Sequence, residues 1–302
     1  MKQKILMTTL INKLKQVRTE IDASFEEMLP SLDGAKKEVL DAICYSFIGG
    51  GKAIRPFLVL TLAENFGVEK TRARQVALAL EMVHTYSLIH DDLPAMDNDT
   101  LRRGKATCHI KFSEATAILA GDALLTHAFE VLADEKTHPN PLIRCQLITL
   151  IAKSAGIQGM IGGQMMDLSA EKKPLSENEI YQMQALKTGA LLKFACIAPA
   201  ILAEQDVLVI KALSDYADAI GLLFQITDDL LDENGSEAMV GKTLKKDKKA
   251  GKSTFLSHYS EEQTKQLASQ MHLKSIEALK PLSLKPETCL KELADFILTR
   301  TY

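Results

Sequence analysis

Two groups of aspartates have the residue type and spacing best suited to chemistry. The first group is Asp91, Asp92 and Asp97, and it follows a run over residues 76–89 that is apolar almost all round. Such a run predicts a buried helix that ends at the aspartates. The carboxyl end of a helix carries partial negative charge, so carboxylates there repel it and one another. The arrangement therefore predicts a bound cation.

Pro94 determines where this helix should end. A residue that precedes proline is disfavoured in helical geometry, so the chain should leave the helix at Leu93. A bend there can return Asp97 towards Asp91, although in a straight helix the two would lie roughly 120° apart.

The second group is Asp228, Asp229 and Asp232, at the end of another apolar run over residues 219–227. Asp228 and Asp232 are four apart and share a helix face. If the two groups face one another, divalent cations must lie between them. Carboxylate oxygens suit Mg²⁺ better than Zn²⁺, and Mg²⁺ usually also binds substrate phosphates. Solvated helix ends would explain one Asp-Asp pair more readily than two matched groups, because buried charges need partners or metals.

Cationic residues that could hold phosphate lie in several places. The segment 50–56, GGKAIRP, combines a glycine turn, two cations and a helix start, and backbone N–H groups at a helix start attract anions. It is not a nucleotide P-loop, because Ala53 stands where that motif has Ser or Thr. Arg102 and Arg103 can each bind phosphate through two parallel hydrogen bonds.

Other candidates are weaker from the residues alone. The segment 242–252 holds six lysines, and such a charge run is usually a solvated loop. Nucleic-acid binding is not expected, because the net charge is −3 and no aromatic residues interleave the lysines. His84, two helical turns before Asp91, is by itself a typical core histidine.

Composition and periodicity predict one all-α domain over residues 1–302, built from about ten or more helices around a central apolar cavity. The chain is 46% hydrophobic with nine prolines and no convincing strand pattern. Helical patterns cover residues 5–28, 35–47, 56–67, 76–92, 111–134, 141–160, 177–198, 206–233, 261–280 and 287–300. Connecting segments are expected at 93–106, 137–141, 172–174 and 235–251.

Targeting signals and cysteines favour a cytoplasmic protein. No run of 18 uninterrupted apolar residues predicts a membrane span, and the amino terminus does not resemble a secretion signal. The five cysteines are scattered and lack zinc-site spacing, so we expect reduced thiols.

The ordered motifs resemble the trans-prenyltransferase (polyprenyl synthase) family, and within it the bacterial farnesyl-producing members. The resemblance covers roughly residues 40–300. The motifs are Gly50-Gly51-Lys52 with Arg55-Pro56, Asp91-Asp92-x4-Asp97, Leu101-Arg102-Arg103-Gly104, Gly162-Gly163-Gln164, Lys187-Thr188-Gly189, Phe224-Gln225-x2-Asp228-Asp229-x2-Asp232, and Gly251-Lys252-Ser253. Asn98-Asp99 departs from the aspartate run of many relatives, but outside the core ligands.

The resemblance implies a bundle of the isoprenoid-synthase type, a homodimer, and three Mg²⁺ ions per active site, with Mn²⁺ as a substitute. The implied reaction joins isopentenyl diphosphate head to tail to dimethylallyl or geranyl diphosphate. The implied metal ligands are Asp91, Asp92, Asp97, Asp228, Asp229 and Asp232. The implied isopentenyl diphosphate ligands are Lys52, Arg55, His84 and Arg103, and those of the allylic diphosphate are Arg102, Lys187, Lys242 and Lys252. Thr188 and Gln225 are implied to turn oxygen dipoles towards the cation.

Product length is expected to depend on Tyr86 and Ser87. Tyr86 lies five residues before Asp91, about 7.5 Å along a helix, so its ring can stop a chain that grows back along the helix. From helix geometry alone an ordinary core aromatic is an equal alternative; the resemblance favours a fifteen-carbon product, with geranylgeranyl or geranyl diphosphate as alternatives.

Two other classes of protein fit less well. A terpene cyclase usually has Ser or Thr where this chain has Asp232, and Glu where it has Ser236. A calcium-binding scaffold is weak, because Leu101 and Arg102 occupy a ligand position and the glycine position of the expected loop.

Overall fold

The computed structural model describes residues 2–234, 253–285 and 289–300. Within these ranges it describes the side chains of all residues except 2–7 and 234. The fold is all-α, as predicted. It divides into two compact units, an N-terminal unit of residues 11–148 and a C-terminal unit of residues 1–10 and 149–302.

The N-terminal unit is built on a buried helix. Its helices are α1 (Lys2–Glu26, which begins in the other unit), α2 (Gly34–Phe47), α3 (Ile54–Asn65), α4 (Lys70–Asp91), α5 (Cys108–Lys111), α6 (Glu114–Ala133) and the first half of α7 (Pro141–Ala155). Helix α4 packs against α3 and α6, and its residues are buried almost all round. The predicted buried helix before Asp91 is confirmed.

A small β-hairpin stands where the sequence predicted only a loop. Strands β1 (Leu101–Arg102) and β2 (Lys105–Ala106) pair antiparallel. Arg103 and Gly104 form the two-residue turn, with φ of 53° and 75°, which is the backbone of a type I′ turn. Two residues per strand are too few for an alternating pattern, so periodicity did not predict the pair.

The C-terminal unit holds α8 (Met160–Ala170), α9 (Glu177–Gln184), a π-helical turn (Ala185–Gly189), α10 (Ala190–Leu202), α11 (Val207–Asn234), α12 (Glu261–Leu279) and α13 (Leu290–Thr299). Helix α11 packs against α10, α12 and α13. Capping boxes begin α9 at Ser176 and α12 at Ser260, and they satisfy N–H groups that a helix start leaves unpaired.

One helix was missed by the sequence analysis, which extended α7 to residue 160. Helix α7 ends at Ala155, and α8 begins at Met160 after a turn that contains Gly156 and Gly159. A Cβ on Gly159 would lie 2.1 Å from the Ser154 carbonyl oxygen. The glycines therefore permit a tight turn inside a run that is apolar enough to read as one helix.

Among the described residues, the stretches Glu114–Ala133 and Glu177–Leu202 are long and apolar enough to cross a membrane. Of the apolar 18-residue part of each stretch, 44% is buried inside the protein in the first and 61% in the second. Core helices of soluble proteins pass the same test, so these helices are weak evidence for a span.

Candidate active site

In the N-terminal unit, the first acidic cluster (Asp91, Asp92 and Asp97) is closed by its own backbone. The Asp97 N–H donates to the Asp91 carbonyl at 2.9 Å, and the Asp99 N–H donates to the Asp92 carbonyl at 3.1 Å. These bonds use carbonyl groups that a helix end leaves without partners. The predicted return of Asp97 to Asp91 is confirmed, and both side chains are half-buried.

Asp92 has a different environment from its two neighbours. It is 3% exposed and accepts hydrogen bonds from Nε of Arg102 at 2.8 Å and from Nη2 at 2.6 Å. Burial lowers the pKa of Arg102, but Asp92, with Asp91 and Asp97, outweighs burial and raises it overall. Arg102 therefore stays charged and fixes Asp92.

Arg103 lies against the glycine loop, residues 49–52. A Cβ on Gly50 would lie 2.3 Å from Nη1 of Arg103, and one on Gly51 would lie 2.7 Å from Nη2. Only glycine lets the backbone approach the guanidinium this closely. Arg103 itself adopts positive φ at the hairpin turn, which costs on the order of 1 kcal/mol, and such strain is concentrated at functional sites.

A buried carboxylate organises the remaining basic residues. Glu81 is 4% exposed and accepts a hydrogen bond from Arg18 at 2.8 Å, while Arg18 also donates to the Gly50 carbonyl at 3.0 Å. Nη1 of Arg55 lies 3.4 Å from Nε2 of His84. Burial lowers the pKa of Arg55 to about 10; Glu81 opposes this shift and the charge of Arg103 adds to it. The sequence analysis missed Glu81, although a charged residue inside an apolar helix is a recognisable signal.

His84 is held neutral by its surroundings. Burial first, and then the charges of Arg55 and Arg103, lower the pKa of His84 well below its usual range. At neutral pH the ring can therefore donate a hydrogen bond through one nitrogen and accept through the other. Arg55, His84 and Arg103 form a basic cluster suited to a diphosphate, and Lys52 belongs to the glycine loop that Arg103 contacts.

Tyr86 is the expected floor of the product pocket, that is, the side chain that stops chain growth, and its buried hydroxyl lacks a described partner. The residue is 5% exposed, and the hydroxyl has no hydrogen-bond partner in the described part of the chain. Burial raises its pKa to about 12. The ring meets the His90 ring edge to face at 5.7 Å, and Nε2 of His90 contacts the Ile118 carbonyl at 3.1 Å. The Ser87 hydroxyl donates to the His84 carbonyl within its own helix.

In the C-terminal unit, the second acidic cluster (Asp228, Asp229 and Asp232) lies on the last turns of α11. Asp228 and Asp232 are half-buried on one helix face. Asp229 is 7% exposed and accepts a hydrogen bond from the Phe255 N–H at 2.8 Å. Here too, the second aspartate of the pair is buried, while the outer two are half-exposed. Asp228 accepts a hydrogen bond from Nη2 of Arg300 at 2.7 Å.

The π-helical turn presents Lys187 and Thr188. A π-turn inserts one residue into a helix, and such turns are frequent at functional sites. Nζ of Lys187 forms an ion pair with Asp167 of α8 at 2.5 Å. A Cβ on Gly163 would lie 2.2 Å from the backbone nitrogen of Lys187, so only glycine at this position allows α8 to pack closely against the turn. Asp167 was missed because α8 itself was missed.

Gln225 is oriented by a second glutamine. Its Nε2 donates to Oε1 of the buried Gln184 at 2.8 Å. Because the Gln225 amide nitrogen is bonded to Gln184, the amide oxygen points away from Gln184. Gln184 carries no motif that sequence reasoning could have recognised. Lys242 and Lys252 lie outside the described residues.

The carboxylates fit an open magnesium site better than a closed site in which the protein supplies all the metal ligands. Among the described residues, no three His, Cys, Asp or Glu side chains converge on one point. Asp91 and Asp97 in one unit, and Asp228 and Asp232 in the other, offer hard oxygen ligands. Mg²⁺ binds through one or two carboxylates together with waters and substrate phosphates, so each of these two pairs fits it by itself.

Comparisons with known proteins agree with this chemistry. The sequence model of the polyprenyl synthetase family matches residues 36–282. The farnesyl diphosphate synthase of Haemophilus influenzae is 42% identical over 292 residues, which cover 95% of this chain and 97% of that protein.

Two solved structures have the same fold. The apo structure of an FPP/GFPP synthase from Zymomonas mobilis has a TM-score of 0.87 and 40% identity, and the match covers 97% of this chain and 99% of that one. A geranyltransferase from Helicobacter pylori, complexed with magnesium and isoprenyl diphosphate, has a TM-score of 0.81 and 29% identity over 97% and 96% of the chains. The chain belongs to the polyprenyl synthetase family of prenyltransferase enzymes.

Proposed function

We propose that the chain is a magnesium-dependent farnesyl diphosphate synthase. It joins isopentenyl diphosphate to dimethylallyl diphosphate, and then a second isopentenyl diphosphate to the geranyl diphosphate formed. The observation that carries the proposal is the shared construction of the two acidic clusters. In each, the second aspartate of the adjacent pair is buried, and the other two aspartates are half-exposed.

The metal ligands we propose are the half-exposed aspartates Asp91, Asp97, Asp228 and Asp232. Bound Mg²⁺ supplies Lewis-acid stabilisation of the charge on a departing diphosphate. Asp92 and Asp229 remain predicted ligands, but they are buried, at 3% and 7% exposed. The family resemblance supports three ions per site, with Mn²⁺ as a substitute.

The basic cluster is assigned to isopentenyl diphosphate. Arg55, His84, Lys52 and Arg103 lie on or beside the glycine loop and α3–α4. Arg102, Lys187, Lys242 and Lys252 are assigned to the allylic diphosphate; the last two rest on the sequence alone. Both described members already neutralise a carboxylate, Asp92 or Asp167, which orders them before substrate arrives.

The reaction proceeds in three bond changes. The C–O bond of the allylic diphosphate breaks, and its electron pair leaves with pyrophosphate. The double bond of isopentenyl diphosphate supplies the pair for the new C–C bond to the allylic cation. A proton is then lost to pyrophosphate, which restores a double bond. The amide oxygen of Gln225 and the Thr188 oxygen stabilise the cation, as preorganised dipoles do in electrostatic catalysis.

Product length is assigned to the buried ring of Tyr86, and its unpartnered hydroxyl argues against an ordinary core role. A buried hydroxyl without a partner costs about 1–3 kcal/mol, so an ordinary core position would favour phenylalanine. We expect Tyr86→Ala to open the floor and yield products of twenty carbons or more. Tyr86→Phe keeps the ring and removes only the hydroxyl, so it should keep the fifteen-carbon product.

The experiment is chromatography of the products formed from labelled isopentenyl diphosphate and dimethylallyl or geranyl diphosphate. Wild type and Tyr86→Phe should give mainly the fifteen-carbon product. A folded, active Tyr86→Ala enzyme with the same product would show that the floor lies elsewhere. A wild-type product of ten or twenty carbons would replace the proposal with a geranyl or geranylgeranyl diphosphate synthase.

We further propose a homodimer and a single domain over residues 1–302. Ile118 and Leu119 of α6 are 44% and 54% exposed, and neighbouring large apolar residues on a surface favour a protein contact. The family match crosses both units, which supports one domain. Sedimentation equilibrium of the full chain measures the oligomeric state, and one cooperative unfolding transition would support the single domain.

A further inference from the structure

Arg300 contacts the second acidic cluster from the far end of the chain. It directly follows α13, and its Nη2 donates to Oδ1 of Asp228 at 2.7 Å. The same nitrogen donates to the Phe224 carbonyl at 2.7 Å and to Oγ1 of Thr227 at 2.9 Å. Its guanidinium carbon lies 3.9 Å from the centre of the Phe224 ring. One side chain therefore binds three residues within the last turns of α11, at positions 224, 227 and 228.

The ion pair is buried on one side and open on the other. The Arg300 side chain is 3% exposed, whereas that of Asp228 is 44% exposed. A guanidinium this far from water is retained where it is fully hydrogen-bonded or paired. The planar guanidinium also donates to Phe224 and Thr227, so the direction of its contact with Oδ1 of Asp228 is fixed by α11 itself, which the single ammonium of a lysine cannot reproduce. The carboxylate is thus held from the protein side while its solvent side faces outward.

We propose that Arg300 is a positioning residue that orients Asp228 for metal binding. This inference rests on the proposed function, because it assumes that Asp228 is a metal ligand. Hydrogen-bond partners behind a ligand typically contribute 10–100-fold to metal affinity. In this role Arg300 acts through Asp228 and is not itself a metal ligand.

A metal-binding measurement tests this role apart from turnover. Isothermal titration of the full-length protein with Mg²⁺, in the presence of inorganic pyrophosphate, gives the Mg²⁺ dissociation constant. We expect Arg300→Ala to raise it about tenfold. Arg300→Lys keeps the charge without the fork and should fall between wild type and Arg300→Ala. The Mg²⁺ concentration for half-maximal activity should shift in the same order, while kcat at saturating Mg²⁺ changes little.

Asp295→Ala is the matched control for loss of α13 packing. Asp295 lies on the same helix and binds His272 of α12 at 2.6 Å, away from Asp228. We expect this variant to bind Mg²⁺ within about twofold of wild type, even if its melting temperature falls as far as that of Arg300→Ala. Should Arg300→Ala fail to fold, Arg300→Lys compared with Asp295→Ala carries the test.

Asp228→Ala separates failure of the inference from failure of the proposed function. If Asp228→Ala lost Mg²⁺ binding while both Arg300 variants matched wild type, the positioning role would be wrong and the metal site would stand. If Asp228→Ala bound Mg²⁺ as well as wild type does, the assigned ligand itself would be wrong. Tighter Mg²⁺ binding in Arg300→Ala would also overturn the inference, because it would make Arg300 a competitor of the metal.

Discussion

The first acidic cluster is completed by its own neighbours in sequence, whereas the second is completed by residues far along the chain. Asp92 is bound by Arg102, ten residues later. Asp229 and Asp228 are bound by Phe255 and Arg300, 26 and 72 residues later. The first cluster therefore depends mainly on one loop and hairpin, and the second depends on the docking of later segments onto α11.

The largest effect should come from the half-exposed carboxylates, which are present in both clusters. We expect Asp91→Ala and Asp228→Ala each to lower kcat at least ~100-fold, a loss of about 2.7 kcal/mol of transition-state stabilisation. Steady-state kinetics with both substrates and Mg²⁺ measures this. Asp218 also lies on α11 and forms an exposed ion pair with Lys193 of α10. Asp218→Ala removes this pair and should stay near wild type. Near-wild-type turnover in either cluster variant would break the equivalence of the clusters.

The buried aspartates should differ in their effect on stability. Asp92→Asn leaves the guanidinium of Arg102 without its counter-charge, and should cost about 2 kcal/mol of unfolding free energy. Asp229→Asn keeps an oxygen that accepts the neutral Phe255 N–H, and should cost about 1 kcal/mol or less. Urea denaturation followed by circular dichroism compares them. Equal losses would mean that Asp92 and Asp229 are held in equivalent ways.

Much of the N-terminal site could be predicted because its signals are local. The apolar run before Asp91, Pro94 and the return of Asp97 all lie within one stretch, and the structure confirms them. The outline of the helices was also predicted, since 3.6-residue periodicity is a strong signal in long segments.

The partners of these residues could not be predicted, because they meet only through tertiary packing. Glu81 with Arg18, Lys187 with Asp167, and Asp228 with Arg300 are pairs separated by 20 to 72 positions. The π-helical turn at Ala185–Gly189 was also missed, since one extra residue barely changes the apolar pattern of α9 and α10.

The two proposed phosphate sites give a finer test, because each basic residue is assigned to one substrate. Arg55→Ala should raise KM for isopentenyl diphosphate about tenfold, or about 1.4 kcal/mol, with little change in kcat. Lys187→Ala should do the same for the allylic substrate. Initial rates with each substrate varied in turn measure both, with Lys193→Ala of α10 as the exposed control. If both variants weakened both substrates equally, the assignment to separate sites would be wrong.

The smallest expected effect is the pH dependence of the N-terminal unit. The pKa of His84 lies well below its ordinary 6.5 in the folded state, so the unfolded chain takes up the proton more readily. Its contribution to stability is therefore complete above about pH 6.5 and is lost as pH falls below that value. Urea denaturation at pH 8 and pH 5.5 should show a smaller drop for His84→Gln than for wild type. An identical drop would mean that His84 is not held neutral.

The measurement that tests the central claim most directly is the metal dependence of condensation. Wild-type protein is incubated with labelled isopentenyl diphosphate and dimethylallyl diphosphate, with Mg²⁺ or with excess chelator, and the products are separated by chromatography. We predict a fifteen-carbon product with Mg²⁺, none in excess chelator, and recovery when Mg²⁺ is restored. Undiminished product formation in excess chelator would contradict the account, because the two acidic clusters would then have no role in holding the diphosphate.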